Sequence, residues 1–226
     1  MDTPSTPSTP STPSTPNVPE QHSDWGKYLR NYSRVLLALL VVLVVGIIYH
    51  MFYQMPAMYK QQKLKSKYRE FWCGDSGYTS MYIIANLNNL PSLKYVGDRI
   101  TQNYADMTQA LITLHGLEAE PLFPLLQNHA AFVASLVDFR KNNGLQNSPE
   151  YQNMFLEWKS NAQLIAMTIG GLRGVDHEKF ETELYLYLEK ISQVLEAELS
   201  NVPDVMDYHD AAKKQARVVA DLMVSS

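Results

Sequence analysis

Nine side chains able to hold a metal or move a proton recur in the C-terminal part of the sequence: Asp75, Asn103, Asp106, His129, Asn161, Glu183, Asp207, His209 and Asp210. Carboxylates and imidazoles on facing helices are the raw material of a di-iron bundle. That chemistry needs paired Glu-x-x-His motifs, and no glutamate here is followed by histidine three positions later. Asp106 is expected near His129, and Asn161 near Asp210. Together Asn103, Asp106, His129, Asn161 and Asp210 read as a structural polar network that fixes helix register. A metal- or ligand-binding bundle built on Asp106 and His129 is the alternative. His209, between Asp207 and Asp210, reads as part of a solvated acidic face. Trp72 and Trp158 read as core residues.

Other chemistry finds little support. Cys73 is the single cysteine, which excludes an intramolecular disulfide framework and any site of several thiolates. No Gly-rich phosphate loop, nucleophile elbow, zinc-hydrolase signature or kinase motif occurs. No catalytic residue, cofactor site or metal ligand set is assigned, and the chain is expected not to be an enzyme.

The elements that must position these residues are helices. A first is expected from Asp75 or Ser76 to Leu90, bounded by Pro91. A second runs from Ser92 to His115 and stops at Gly116, with Ile100, Tyr104, Met107, Leu111 and Leu114 at helical spacing. A third runs from Glu118 or Pro121 to just before Gly144. Ser148-Pro149-Glu150 opens a fourth, ended by Gly170, Gly171 and Gly174. Asp176 caps a fifth, and Pro203-Asp204 opens a sixth. Short connections predict antiparallel neighbours. The fold class is all-α: a single N-terminal transmembrane helix, then an antiparallel bundle of about six helices.

The rest of the chain falls into blocks. Residues 1–24 carry four consecutive Ser-Thr-Pro triplets and predict a disordered tail. Residues 33–56 hold the run VLLALLVVLVVGIIY and predict a transmembrane helix with its flanks. The run starts too far along the chain for a cleaved signal peptide. Residues 57–70 form a basic juxtamembrane segment with Lys60, Lys63, Lys65, Lys67 and Arg69, which outnumber Lys27, Arg30 and Arg34 on the other flank. That asymmetry favours a cytosolic C-terminal side, and the cluster could also touch anionic headgroups. Residues 71–226, the helical domain, hold 11 basic and 19 acidic residues, a net −8, against −4 for the whole chain of 226 residues. An acidic domain is not expected to bind nucleic acid.

Pairs of helices look related. RITQNYADM (99–107) compares with WKSNAQLIAM (158–167), and DYHDAAKKQARVVADLM (207–223) more loosely with both. The pattern suggests three hairpins, 75–116, 118–173 and 175–224. With Phe71-Trp72 and Asp75, Asn103 and Asp106, His129, Trp158 and Asn161, and Asp207-Tyr208, the region 71–224 resembles an uncharacterised all-helical family of large eukaryotic DNA viruses with bacterial relatives. Gln163 and Leu164 depart from its pattern, which has an acidic residue after the asparagine. The resemblance implies a minor capsid or membrane-associated virion protein, anchoring the capsid to an inner membrane. Its partners would be the lipid bilayer and capsid or other virion proteins, with homo-oligomerisation left open. The domain would face the cytosol or the capsid. A membrane adaptor or receptor with a proline-rich stalk is a further alternative.

Overall fold

A computed structural model describes residues 25–172 and 175–223, so the Ser/Thr/Pro tail lies outside the described residues. The protein is all-helical, with no strand among the described residues. The chain divides into two compact units, Met1–Pro56 and Ala57–Ser226.

In the first unit, α1 (Trp25–Tyr49) is followed by a π-helical turn, His50–Gln54. The stretch Arg30–Phe52 is long and apolar enough to cross a membrane, and every residue in it is exposed. An all-round apolar surface of this length has no water-facing side, unlike the one-sided stripe of a helix packed on a soluble core.

The second unit begins within α2 (Met55–Leu87), which starts well before the expected Asp75. Residues 57–70 are therefore helical and run directly into the core-forming part of α2. Tyr68, Phe71, Trp72, Asp75, Thr79 and Ile83 are buried at spacings of three and four, the period of one helix face. Leu64 packs against the same core one turn earlier.

The remaining helices are α3 (Leu93–His115), α4 (Leu122–Lys141), α5 (Pro149–Gly171), α6 (His177–Ser200) and α7 (Val205–Leu222). Their ends follow from local chemistry. Gly116 stops α3 at φ +83°, a conformation that favours glycine. Ser148 Oγ accepts from the Tyr151 amide at 3.2 Å, with Pro149 at the first helical position. Asp176 Oδ1 accepts from the Lys179 amide at 3.2 Å. Asn201, left-handed at φ +51°, ends α6. Asp204 precedes α7 without a side-chain cap bond.

Contacts run in opposite senses within three successive helix pairs. Phe71 and Tyr78 of α2 meet Asn103 and Arg99 of α3. Leu125 and Phe139 of α4 meet Asn161 and Tyr151 of α5. Glu183 and Glu198 of α6 meet Gln215 and His209 of α7. The first and last helices also touch. Arg69 grips Asp221 with two bonds of 2.5 and 2.6 Å, and Trp72 Nε1 donates to Met223 Sδ at 3.1 Å. A single apolar core runs through all six helices, with Trp72, Trp158, Tyr68, Tyr104 and Tyr187 among its largest members.

Candidate functional site: a buried polar centre

The polar residues that converge are Asp75, Tyr104, His129, Trp158 and Tyr187. Asp75 lies on the core face of α2 and is 2% exposed. Its Oδ1 accepts from Tyr104 Oη of α3 at 2.6 Å, and its Oδ2 from Tyr187 Oη of α6 at 2.7 Å. His129 of α4 is 1% exposed. Its Nδ1 accepts from Trp158 Nε1 of α5 at 3.1 Å, so a neutral ring carries its proton on Nε2. The imidazole stacks on Tyr187 at 6.3 Å and meets Tyr104 edge-on at 6.5 Å. Burial lowers the His129 pKa, partly offset by the negative charge of Asp75.

A repeated bond places these residues. In each helix pair, a side-chain amide of the second helix donates to a main-chain carbonyl of the first. Asn103 reaches Phe71 O at 3.0 Å, Asn161 reaches Leu125 O at 3.0 Å, and Gln215 reaches Glu183 O at 2.9 Å. The carbonyls at 71, 125 and 183 are spaced by 54 and 58 residues, and the amides at 103, 161 and 215 by 58 and 54. Four residues after each carbonyl, one turn on along the same face, stand Asp75, His129 and Tyr187. All three are buried and belong to the polar centre. One residue after each amide stand Tyr104, Ala162 and Ala216, also buried.

Three members of the expected network thus have structural roles, but they do not form one network. Asn103 joins α3 to α2, Asn161 joins α5 to α4, and His129 sits in the centre. Asp106 is exposed on α3 and accepts from Gln102 at 2.7 Å. It does not meet His129, because it lies two residues, about 200° of helical rotation, from the inward-facing Tyr104. Asp210 is exposed on α7 and is not brought to Asn161, whose amide is engaged by Leu125. The metal site imagined on Asp106 and His129 is therefore not assembled, and no group of three potential ligands gathers elsewhere among the described residues. Nor is His209 on a solvated face: its Nε2 lies 2.7 Å from Glu198 Oε1, with both side chains largely buried. Glu183 accepts from Gln215 at 2.7 Å, and Asp207 is exposed. The tyrosines are the partners that the sequence does not single out: Tyr104 stands in an apolar stripe, which gives no sign of where its hydroxyl points.

The basic residues separate into two sets. Lys65 and Arg69 face Asp221 of α7, with Lys65 Nζ 3.4 Å from its carboxylate. Lys60, Lys63 and Lys67 lie on another face of α2, beside the end of α3.

The centre carries a consequence at alkaline pH. Burial first, then the charge of Asp75, raises the Tyr104 and Tyr187 phenols well above their ordinary value of 10.0. Burial also pushes Tyr68 to about 12. The folded chain keeps these protons while the unfolded chain releases them near 10. Stability is therefore present below that value and lost as pH rises from it towards the folded values. Tyrosinate absorbance and far-ultraviolet circular dichroism followed together are expected to show the last phenols ionising only as helix content falls. Complete, reversible ionisation with the helices intact would contradict the burial.

Comparison with protein-family models, with curated proteins and with solved structures finds no match.

Proposed function

We propose that this chain is a structural membrane protein, anchored in a bilayer by α1, whose helical domain holds a protein layer at a set distance from the membrane surface. In the viral setting implied by the resemblance, the bilayer is the inner membrane of a virion and the layer is the capsid. The three antiparallel helix pairs then act as one closed bundle of six helices.

The observation that carries this reading is the layout of α2. From Lys60 to Leu87 the helix rises by about 40 Å at 1.5 Å per residue. Its N-terminal part bears the basic residues, suited to anionic headgroups. At its far end, together with the start of α3, lies an apolar groove of about 890 Å³ lined by Tyr78, Met81, Leu90, Tyr95 and Arg99. Met81, Leu90 and Tyr95 are exposed there. Tyrosine, methionine and arginine are the residue types enriched at protein interfaces. Between the two ends, closed polar pairs and a continuous core favour a rigid strut over a reactive site.

Carbonate extraction of native membranes tests the anchor. The full chain is expected in the pellet, and a chain lacking residues 30–52 in the supernatant. A photo-cross-linker at Tyr95 tests the other end, where a coat protein is the expected product and one at Asp210 should not yield it. Carbonate-resistant retention of the shortened chain, or capture of signalling proteins from Tyr95, would remove this reading. The second outcome would favour an adaptor.

A further inference from the structure

Lys60, Lys63 and Lys67 recur at the third and seventh positions after the first, which stacks them along one stripe of α2. They line a groove of about 230 Å³ whose apolar wall includes Leu64 of α2 and Ala110 and Leu114 of α3. All three lysine side chains are exposed. Lys67 Nζ lies 5.7 Å from the centre of the Phe71 ring, while the acid that neutralises this part of α2, Asp221, is taken by Lys65 and Arg69 on the other face. A stripe of cations against an apolar wall matches a ligand with an anionic head and a hydrocarbon body.

We propose that this groove is a binding site for one anionic phospholipid, its phosphate held by Lys60 and Lys63 and its upper acyl region lying on Leu64, Ala110 and Leu114. The proposal rests on the reading that α1 sits in a bilayer. Lys60 follows Phe52, the end of the apolar stretch, by eight positions. Even fully extended they reach only about 28 Å, so the lysines are tethered close to any membrane that holds α1. The acids nearby set the direction of binding. Glu70 and Asp106 line an adjoining cavity that shares Lys67, and the carboxyl end of α3 carries partial negative charge. The two carboxylates push an anion towards the Lys60 and Lys63 side, while the end of α3, which lies beside Lys60, opposes it and is outweighed by the three lysines.

The test uses the full chain in nanodiscs of phosphatidylcholine and phosphatidylserine, with retained lipids identified by native mass spectrometry. Phosphatidylserine is expected to be enriched about ten-fold over its share of the bilayer, as several lysines near an anionic headgroup would provide. The triple variant Lys60→Gln/Lys63→Gln/Lys67→Gln should lose that enrichment. Lys213→Gln/Lys214→Gln, which removes exposed charge from α7, should keep it. Enrichment that survives the triple variant overturns the site, as does an inserted chain with no lipid preference; the anchor stands in both cases. Displacement of the lipid by millimolar inorganic phosphate overturns it in favour of a free-anion site. Release by an acidic peptide overturns it in favour of a protein contact. A chain that carbonate strips from the bilayer overturns anchor and site together.

Discussion

Replacing Asp75 with leucine is expected to destabilise the helical domain by about 2–4 kcal/mol, because it leaves two buried hydroxyls without their acceptor at about 1–3 kcal/mol each. Tyr104 of α3 and Tyr187 of α6 both donate to this carboxylate of α2. Relief from burying the carboxylate offsets part of the loss, so the effect stays below the sum of the two penalties. Urea unfolding of residues 57–226, followed by circular dichroism, measures it. The triple variant Asp75→Leu/Tyr104→Phe/Tyr187→Phe should recover most of the loss, since removing all partners leaves nothing unsatisfied. Tyr104→Phe/Tyr187→Phe with Asp75 retained should be costly as well, because it leaves the carboxylate buried without either phenol donor. A neutral Asp75→Leu, or a triple variant no better than the single one, would show that the phenols find other partners.

The same residues show what the sequence could and could not convey. Helix ends in the C-terminal part were legible because they rest on single residues: Gly116, Ser148 before Pro149, and Asp176 act locally. The start of α2 is less legible, although Leu64, Tyr68, Phe71 and Trp72 show helical spacing. Lys65, Lys67 and Arg69 stand between them and mask the stripe. The polar centre was harder to foresee. Asp75 receives its bonds from residues 29 and 112 positions away, and a tyrosine in an apolar stripe does not announce where its hydroxyl will point. The outward position of Asp106, by contrast, follows from helical rotation relative to Tyr104 alone. The match between Asn103 and Asn161 held a real signal. Both turned out to make the same bond to the preceding helix, and Gln215 repeats it with a longer side chain in the third pair.

A chain beginning at Phe71 should be less stable than one beginning at Ala57 by about 3–5 kcal/mol, the usual cost of deleting a large core aromatic side chain. Tyr68 is fully buried and would be removed entirely. Leu64, packed on the same core, goes with it. Asp221 would lose both Lys65 and Arg69, and with them the ion pairs between α2 and α7. The new helix end would also place Trp72 and Asp75 in its first turn or just beyond, where main-chain amides lack intrahelical partners and the helix frays. Those residues anchor Met223, Tyr104 and Tyr187, so fraying there loosens the centre as well as the end. A domain of this size commonly has about 5–15 kcal/mol in total, and the shorter chain would therefore unfold at a much lower urea concentration. A chain beginning at Leu64 retains Tyr68, Lys65 and Arg69, and should recover most of the difference. Equal midpoints for chains beginning at 57 and 71 would mean that the basic half of α2 contributes nothing to the fold.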